Sequence, residues 1–336
     1  MASIDLLRSA LASPAHALES LAHWIGIEPR ALDGLLCILA LLLLSTLLAG
    51  VLKRVVGGKT VNEARLRIKT WWVIFGGVAA AALFGRDASI VALALVSFIA
   101  FKEFISLAPG RDADRPVLFM AYAAIPVQYI FVWMHWYGMF IIWIPVYAFL
   151  LLPARMALKG ETKGFLRSAG TLHWSLMATV FSLSHLAYLL NLPAGAHGHA
   201  HWSGLTLLLF LLFLTEFNDV AQFVWGKLFG KTKALPTVSP NKTVEGFLGG
   251  VATTTALALF LGPWMTPLSI WESLAAGLLI STAGFLGDVV MSAIKRDIGV
   301  KDSGSILPGH GGALDRLDSL TFTAPLFFHF IYYLWF

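Results

Sequence analysis

Long apolar runs separated by short polar stretches recur along the whole chain, and a run of roughly 20 mostly apolar residues is long enough to cross a bilayer as a helix. The pattern predicts about ten such spans, near residues 34–52, 70–85, 88–106, 117–134, 138–153, 169–191, 203–223, 245–263, 271–293 and 319–336, the second and fifth being short. The first, "LLCILALLLLSTLLAGVL", starts at Leu35, after a mixed stretch carrying Asp5, Arg8, Glu19 and Glu28, so it reads as a retained span and not as a secretory signal. No soluble domain, low-complexity linker or internal repeat interrupts the series. The expected fold class is all-α, a polytopic integral membrane protein. Residues 1–200 read as a lipid-facing scaffold of transmembrane helices and residues 201–336 as a C-terminal catalytic region, the two making one integrated membrane domain.

Composition agrees with the pattern. The chain is 58% hydrophobic and 13% charged, whereas soluble domains carry about 25% charged residues; its solvent is largely lipid. The single cysteine, Cys37, excludes a disulfide framework within the chain. The formal net charge is +5, yet 21 of the 24 lysines and arginines sit in alternate loops, all but Arg8, Arg30 and Arg86. Basic residues collect in cytoplasmic loops, so the alternation predicts the N-terminus outside and the loops after odd-numbered spans inside. The charge is then a topology signal, and no nucleic-acid partner is expected.

Two of the inside loops are unlike connectors. In the first, residues 215–250, Glu216 and Asp219 lie near the end of a span at i, i+3 spacing. A carboxylate held in a membrane costs about 2.5–3.5 kcal/mol and so seeks a cavity and a partner. Lys227, Lys231 and Lys233 follow among glycines, and "SPNKT" offers Ser239 or Asn241 as a cap for the next helix. In the second, residues 287–319, Asp288, Ser292 and Lys295 share one face of a helix predicted over 281–296. Asp315 and Asp318 share another face at the start of the last span. Between them Gly304, Gly309, Gly311 and Gly312 permit φ > 0 and close backbone approach, with N–H groups free to cradle anionic oxygens.

A polar re-entrant turn would explain the glycines. It would not explain Asp288, Asp302, Asp315 and Asp318 set among Lys295, Arg296, Lys301 and Arg316. Crowded carboxylates call for a cation, and magnesium takes one or two of them together with substrate phosphates. Lysine and arginine suit phosphate oxygens, and the lack of a cysteine or histidine pair in these loops argues against zinc. The two loops together predict metal-assisted transfer at phosphorus on the cytoplasmic side.

These residues resemble a known pattern. Ser292, Lys295–Arg296, Lys301–Asp302, Pro308 to Gly312, and Asp315–Arg316 with Asp318 resemble the signature of the phosphatidate cytidylyltransferases, or CDP-diacylglycerol synthases. Asp219, Gly226, Lys227, Lys231 and "SPNKTVEGFLGG" resemble the upstream block of that family, the "GKLFGK" run reading as a turn. The likeness covers about the last 130 residues, and the multi-span character throughout. Met291 stands where the family commonly has glutamate, Val244 where it has tryptophan, and Ala313 where it has a larger aliphatic residue. Met291 deletes a carboxylate, which points to a divergent branch with a different lipid acceptor.

The resemblance implies transfer of the cytidylyl group of CTP to phosphatidate, giving CDP-diacylglycerol and pyrophosphate. A phosphate monoester has a second pKa of about 6, so the acceptor needs no general base, in keeping with the lack of any Ser-His-Asp arrangement. Asp219, Asp288, Asp315 and Asp318 become candidate Mg²⁺ ligands, with a monovalent cation such as K⁺ as a second ion. Lys295, Arg296, Lys301, Asp302 and Arg316 become catalytic candidates; His310 either donates to a phosphate oxygen or stabilises its turn. Lys227, Lys231, Ser239, Asn241, Lys242, Ser292, Gly309, Gly311 and Gly312 become candidates for substrate binding. A homodimer in the cell inner membrane, with a cytoplasmic active site, is implied as well.

Other signals are weaker. "GGKT" at 57–60 lacks the first glycine of a phosphate-binding loop, Lys53 standing in its place. "HGHAH" at 197–201 reads as a polar connecting loop. A different CTP-dependent membrane transferase acting on a lipid or polyprenol phosphate is the alternative function. A cation-coupled transporter is a weaker one, since it would place charges near the mid-plane and show a repeat.

Overall fold

The computed structural model describes residues 14–55, 59–108, 115–193, 202–304 and 311–336. Backbone polar groups in lipid must be satisfied within their own segment, and the apolar runs accordingly fold as helices. A short α1 (Pro14–Ile25) precedes α2 (Pro29–Val55), α3 (Lys59–Leu83), α4 (Arg86–Leu107), α5 (Arg115–Trp133) and α6 (Tyr137–Ala157). Next come α7 over 165–189, α8 (Gly204–Phe229), α9 (Val244–Met265), α10 (Ile270–Ile298), the one-turn α11 (Leu314–Leu317) and α12 (Leu320–Trp335). Among the described residues the only sheet is an antiparallel hairpin of β1 (Lys233–Leu235) and β2 (Ser239–Thr243). The protein is an all-α polytopic membrane protein.

Seven helices (α2, α4, α5, α6, α8, α9 and α10) are long and apolar enough to cross a membrane. The three other expected spans fall short for local reasons. The apolar part of α3 is confined to Ile68–Leu83, and α12 has 16 residues. In α7, Ser175, Thr179, Ser182, Ser184 and His185 alternate with apolar residues, and all five are buried in the bundle. Both α6 and α7 contain a π-helical stretch, at Trp143–Ala148 and Met177–Phe181, and α6 ends at Ala157, four residues past the expected end.

The C-terminal helices pack through small residues, as expected where lipid offers no hydrophobic drive between helices. A Cβ on Gly277 of α10 would lie 2.8 Å from the Thr255 Cα of α9, so the two backbones nearly touch. Asn218 of α8 is fully buried and joins three helices, donating to the Ser281 carbonyl at 3.1 Å and accepting from the Thr254 hydroxyl at 3.3 Å. Gly277→Val should force α9 and α10 apart and cost about 1–3 kcal/mol, read as a lower unfolding temperature in detergent. An unchanged temperature would show that the crossing can relax.

Two local expectations are corrected. The "GKLFGK" run is not a turn at Gly226 and Lys227: α8 continues to Phe229. A Cβ on Gly246 would lie 3.1 Å from the Gly226 Cα, so this glycine serves a helix crossing. Nor do Ser239 and Asn241 cap the next helix. They lie in β2, and Thr243, where the strand ends, caps α9 by accepting from the Gly246 N–H.

Candidate active site

Chemistry collects where the C-terminal ends of α4, α8 and α10 meet the hairpin, α11 and the start of α12. The helix predicted over 281–296 forms and runs on to Ile298, where Gly299, at φ 84°, ends it in the left-handed conformation. Asp288, Ser292 and Lys295 stand one turn apart along it. The Ser292 hydroxyl donates to Asp288 Oδ1 at 3.1 Å. Lys242, delivered by β2, pairs with Asp288 Oδ2 at 2.6 Å, and its ammonium also lies 4.7 Å from the centre of the Phe285 ring. The hairpin therefore exists to some purpose: it brings a lysine from outside the helices onto α10. Glu245 holds it there, accepting from the backbone N–H groups of Lys231 and Thr232 at 3.1 Å.

Lys295 reaches the other way and pairs with Asp315 Oδ1 at 2.7 Å. Asp315 is 7% exposed, and its Oδ2 accepts from the Ser303 and Gly312 N–H groups, each at 2.9 Å. Burial pushes this carboxyl upward, but the Lys295 ammonium and the two N–H groups prevail and hold it below the usual aspartate value. Gly311 passes Asp315 Oδ2 at φ 81°, a conformation that suits glycine, and a Cβ there would strike the carboxylate.

Beside this pair lies a residue the sequence did not single out. Glu103, near the end of α4, is 5% exposed. Its Oε2 accepts from the Ala313 N–H at 2.8 Å, and its Oε1 from the Leu314 N–H at 3.3 Å and from the Ser303 hydroxyl. A carboxylate from the first third of the chain thus caps α11 and ties both ends of the glycine loop. Gly312 packs so closely on Glu103 Oε1 that a Cβ would overlap it. "FKEFISL" carries a single acid near a helix end, and nothing local distinguishes it from a surface charge.

The remaining acids converge. The Ser319 hydroxyl donates to Asp219 Oδ2 at 3.1 Å, and Asp219 lies within electrostatic reach of Asp288, Lys242 and Arg316. Asp318 is 8% exposed; burial, and then the negative charges of Asp288 and Asp219, push its carboxyl well above the usual range. Glu216, one turn before Asp219, faces the same group. Arg316 opposes all three acids Glu216, Asp219 and Asp318, and its buried Nε has no hydrogen-bond partner among the described residues.

The four acids expected around one ion are therefore divided. Asp219, Asp288 and Asp318 act on one another, whereas Asp315 has both oxygens committed to Lys295 and backbone N–H groups. Among the described residues, no three acidic, histidine or cysteine side chains form a closed metal-binding group. The donors fit magnesium all the same, since that ion takes one or two carboxylates and completes its shell with water and phosphate oxygens.

Of the other expected residues, Arg296 braces the hairpin, its Nε donating to the Val238 carbonyl at 3.4 Å and its Nη1 to the Val300 carbonyl at 3.3 Å. The Lys227 ammonium lies 5.7 Å from the Phe223 ring centre. Lys231, Asn241, Lys301 and Asp302 are exposed at the rim, and Ser239 is partly buried in β2. Gly309 and His310, and the "HGHAH" run, lie outside the described residues. Met291 is 1% exposed and packed in the apolar core. Val244 opens α9, its N–H donating to the Thr232 carbonyl at 3.0 Å.

Fold and site together define a membrane-embedded protein with lysines, an arginine and acids gathered at one end of its helical bundle. The chain belongs to the cytidylyltransferase family, whose sequence model matches residues 65–334; it is a nucleotidyltransferase by that membership. It is 46% identical over 295 residues, 88% of this chain and 96% of the relative, to the uncharacterized protein YnbB of Escherichia coli (strain K12). It is 40% identical over 154 residues to a phosphatidate cytidylyltransferase of Staphylococcus epidermidis and 39% identical over 154 residues to one of Staphylococcus aureus. Those alignments cover 46% of this chain and 59% of each relative.

Proposed function

We propose that the protein transfers the cytidylyl group of CTP to phosphatidate, releasing pyrophosphate and CDP-diacylglycerol, at the cytoplasmic face of the cell inner membrane. The observation that carries this reading is α10 itself, which presents Asp288–Lys242 and Lys295–Asp315 side by side next to Glu216 and Asp219 of α8 and the buried Asp318 between α11 and α12. An acceptor phosphate oxygen attacks the α-phosphorus of CTP, and the bond to the β-phosphate breaks. Bringing two anions together is the difficulty, so catalysis here is positioning and charge stabilisation. Lys242, Lys295 and Arg316 supply fixed positive charge. Magnesium, held by one or two of Asp219, Asp288 and Asp318, would neutralise phosphate charge when bound. Asp315 acts by orienting Lys295. K⁺ as a second ion and a homodimer belong to the same reading; size measurement in detergent checks the latter.

Met291, buried at the position where the resembled signature has glutamate, favours a second reading in which the lipid acceptor differs. Membranes containing the protein, supplied with labelled CTP, magnesium and either phosphatidate or a polyprenol phosphate, decide between them. Label should enter the lipid phase with phosphatidate, with pyrophosphate released. It should fall by on the order of 100-fold in Asp288→Ala, or when a chelator removes magnesium. Labelling of polyprenol phosphate alone would establish the second reading, and none with either acceptor would overturn both.

A further inference from the structure

Behind α10 lies a cavity of about 1230 Å³, bounded by the ends of α4 and α10 and the beginnings of α5 and α7. Pockets for drug-sized ligands measure about 300–1,000 Å³, so this one admits a large molecule. On α10 its wall is Ala293, Ile294, Asp297 and Ile298. At about 100° per residue, Ala293 and Asp297 point about 160° away from Lys295, Ile294 about 100° and Ile298 about 60°, so the cavity runs from the far face of the helix round to its flank, mostly away from the Lys295–Asp315 pair.

The lining is divided in the manner of a phospholipid. Arg115, Arg167, Ser168 and Thr171 supply two guanidinium groups and two hydroxyls. Phe104, Leu118, Trp174 and Ile294 supply an apolar wall. Among the described lining residues Asp297 is the one acid, beside the two arginines. Arg167 has no hydrogen bond or ion pair among the described residues and is exposed. Arg115 and Gly164, which also line the cavity, stand at the N-terminal ends of α5 and α7, whose dipoles add positive potential.

Basic pockets between transmembrane helices bind anionic headgroups, and a guanidinium meets a phosphate with two hydrogen bonds. We propose that this cavity binds an anionic phospholipid of the surrounding bilayer, with its phosphate on Arg115 and Arg167 and an acyl chain along the Phe104–Trp174 wall. The lipid is not consumed there, because α10 separates it from the cluster where transfer is proposed. By filling the space behind α10 it would support the helix that carries Asp288 and Lys295.

The test reads binding and not transfer, so it stands or falls separately from the reaction proposed above. The full chain is placed in phosphatidylcholine bilayers containing brominated phosphatidylglycerol, or brominated phosphatidylcholine at the same level, and tryptophan quenching is measured. The chain has 12 tryptophans, so the Trp174 signal is taken as the difference from Trp174→Phe. That signal should be quenched preferentially by the anionic lipid, and the preference should fall on the order of fivefold in Arg167→Gln and further in Arg115→Gln/Arg167→Gln. Arg167 is exposed, so its replacement does not threaten the fold. Equal quenching by the two lipids, or a preference that survives the double substitution, would overturn the proposal. So would loss of the preference on adding inorganic phosphate at constant ionic strength, which would assign the arginines to a free anion.

Discussion

Replacing Glu103 by alanine should reduce CTP-dependent labelling of lipid by more than about 100-fold, although Glu103 lies nearly 200 residues from the signature it serves. Its carboxylate is the acceptor for two backbone N–H groups and one hydroxyl, all from Ser303, Ala313 and Leu314. A buried donor left without a partner costs about 1–3 kcal/mol, and three such donors exceed the roughly 2.7 kcal/mol that a 100-fold effect requires. The damage should be local, because the apolar core is untouched, so the unfolding temperature should move far less than the rate. Glu103→Gln keeps an oxygen for the Ala313 N–H, and the Ser303 hydroxyl can turn to accept from the new amide; only the Leu314 N–H loses its partner. The Gln variant should therefore fall between wild type and Ala, near a tenfold loss. A full rate in Glu103→Ala would show that the loop holds itself.

The second large effect is expected at Lys295 and Asp315. Removing one member of a buried ion pair strands the other, at about 3–5 kcal/mol. Lys295→Met and Asp315→Asn should each abolish measurable transfer, and their effects on stability should be strongly non-additive in the double variant, since the penalty of the stranded charge is incurred only once. The acid dependence carries a sign. The Asp315 carboxyl is held below its usual value in the folded protein, so the charge stabilises the fold above the unfolded value of about 3.9. That stability is lost as the pH falls through the folded-state value. The stability gap between wild type and Asp315→Asn should be complete at neutral pH and close in strong acid. Additive effects, or a gap that widens in acid, would contradict the pair as described.

How much of this was readable in advance depends on how local each cause is. The helices were legible because a bilayer imposes one length and one polarity on every segment, and α8, α9 and α10 lie close to the runs that predict them. The i, i+4, i+7 face of Asp288, Ser292 and Lys295 was legible for the same reason, being set by helical periodicity within one element. Pairings between elements were not. Lys242 and Lys227 look alike in the sequence, yet β2 sends the first to Asp288, while the second stays beside Phe223 on its own helix. Asp315 and Asp318 were expected on one helical face, but the break between α11 and α12 sends one to Lys295 and the other towards Asp219 and Asp288.

Taken alone, the order of residues determined that this chain lives in a membrane, where most of its helices run and which polar loops are unlike simple connectors, because hydropathy and helical period act over a few neighbouring residues. Only the folded arrangement decided that Glu103 accepts from Ser303, Ala313 and Leu314, that Asp315 pairs with Lys295, and that α10 has ion pairs along one face and a cavity beside another. Those outcomes depend on which buried charge meets which donor across tens or hundreds of residues, and such meetings are settled by packing.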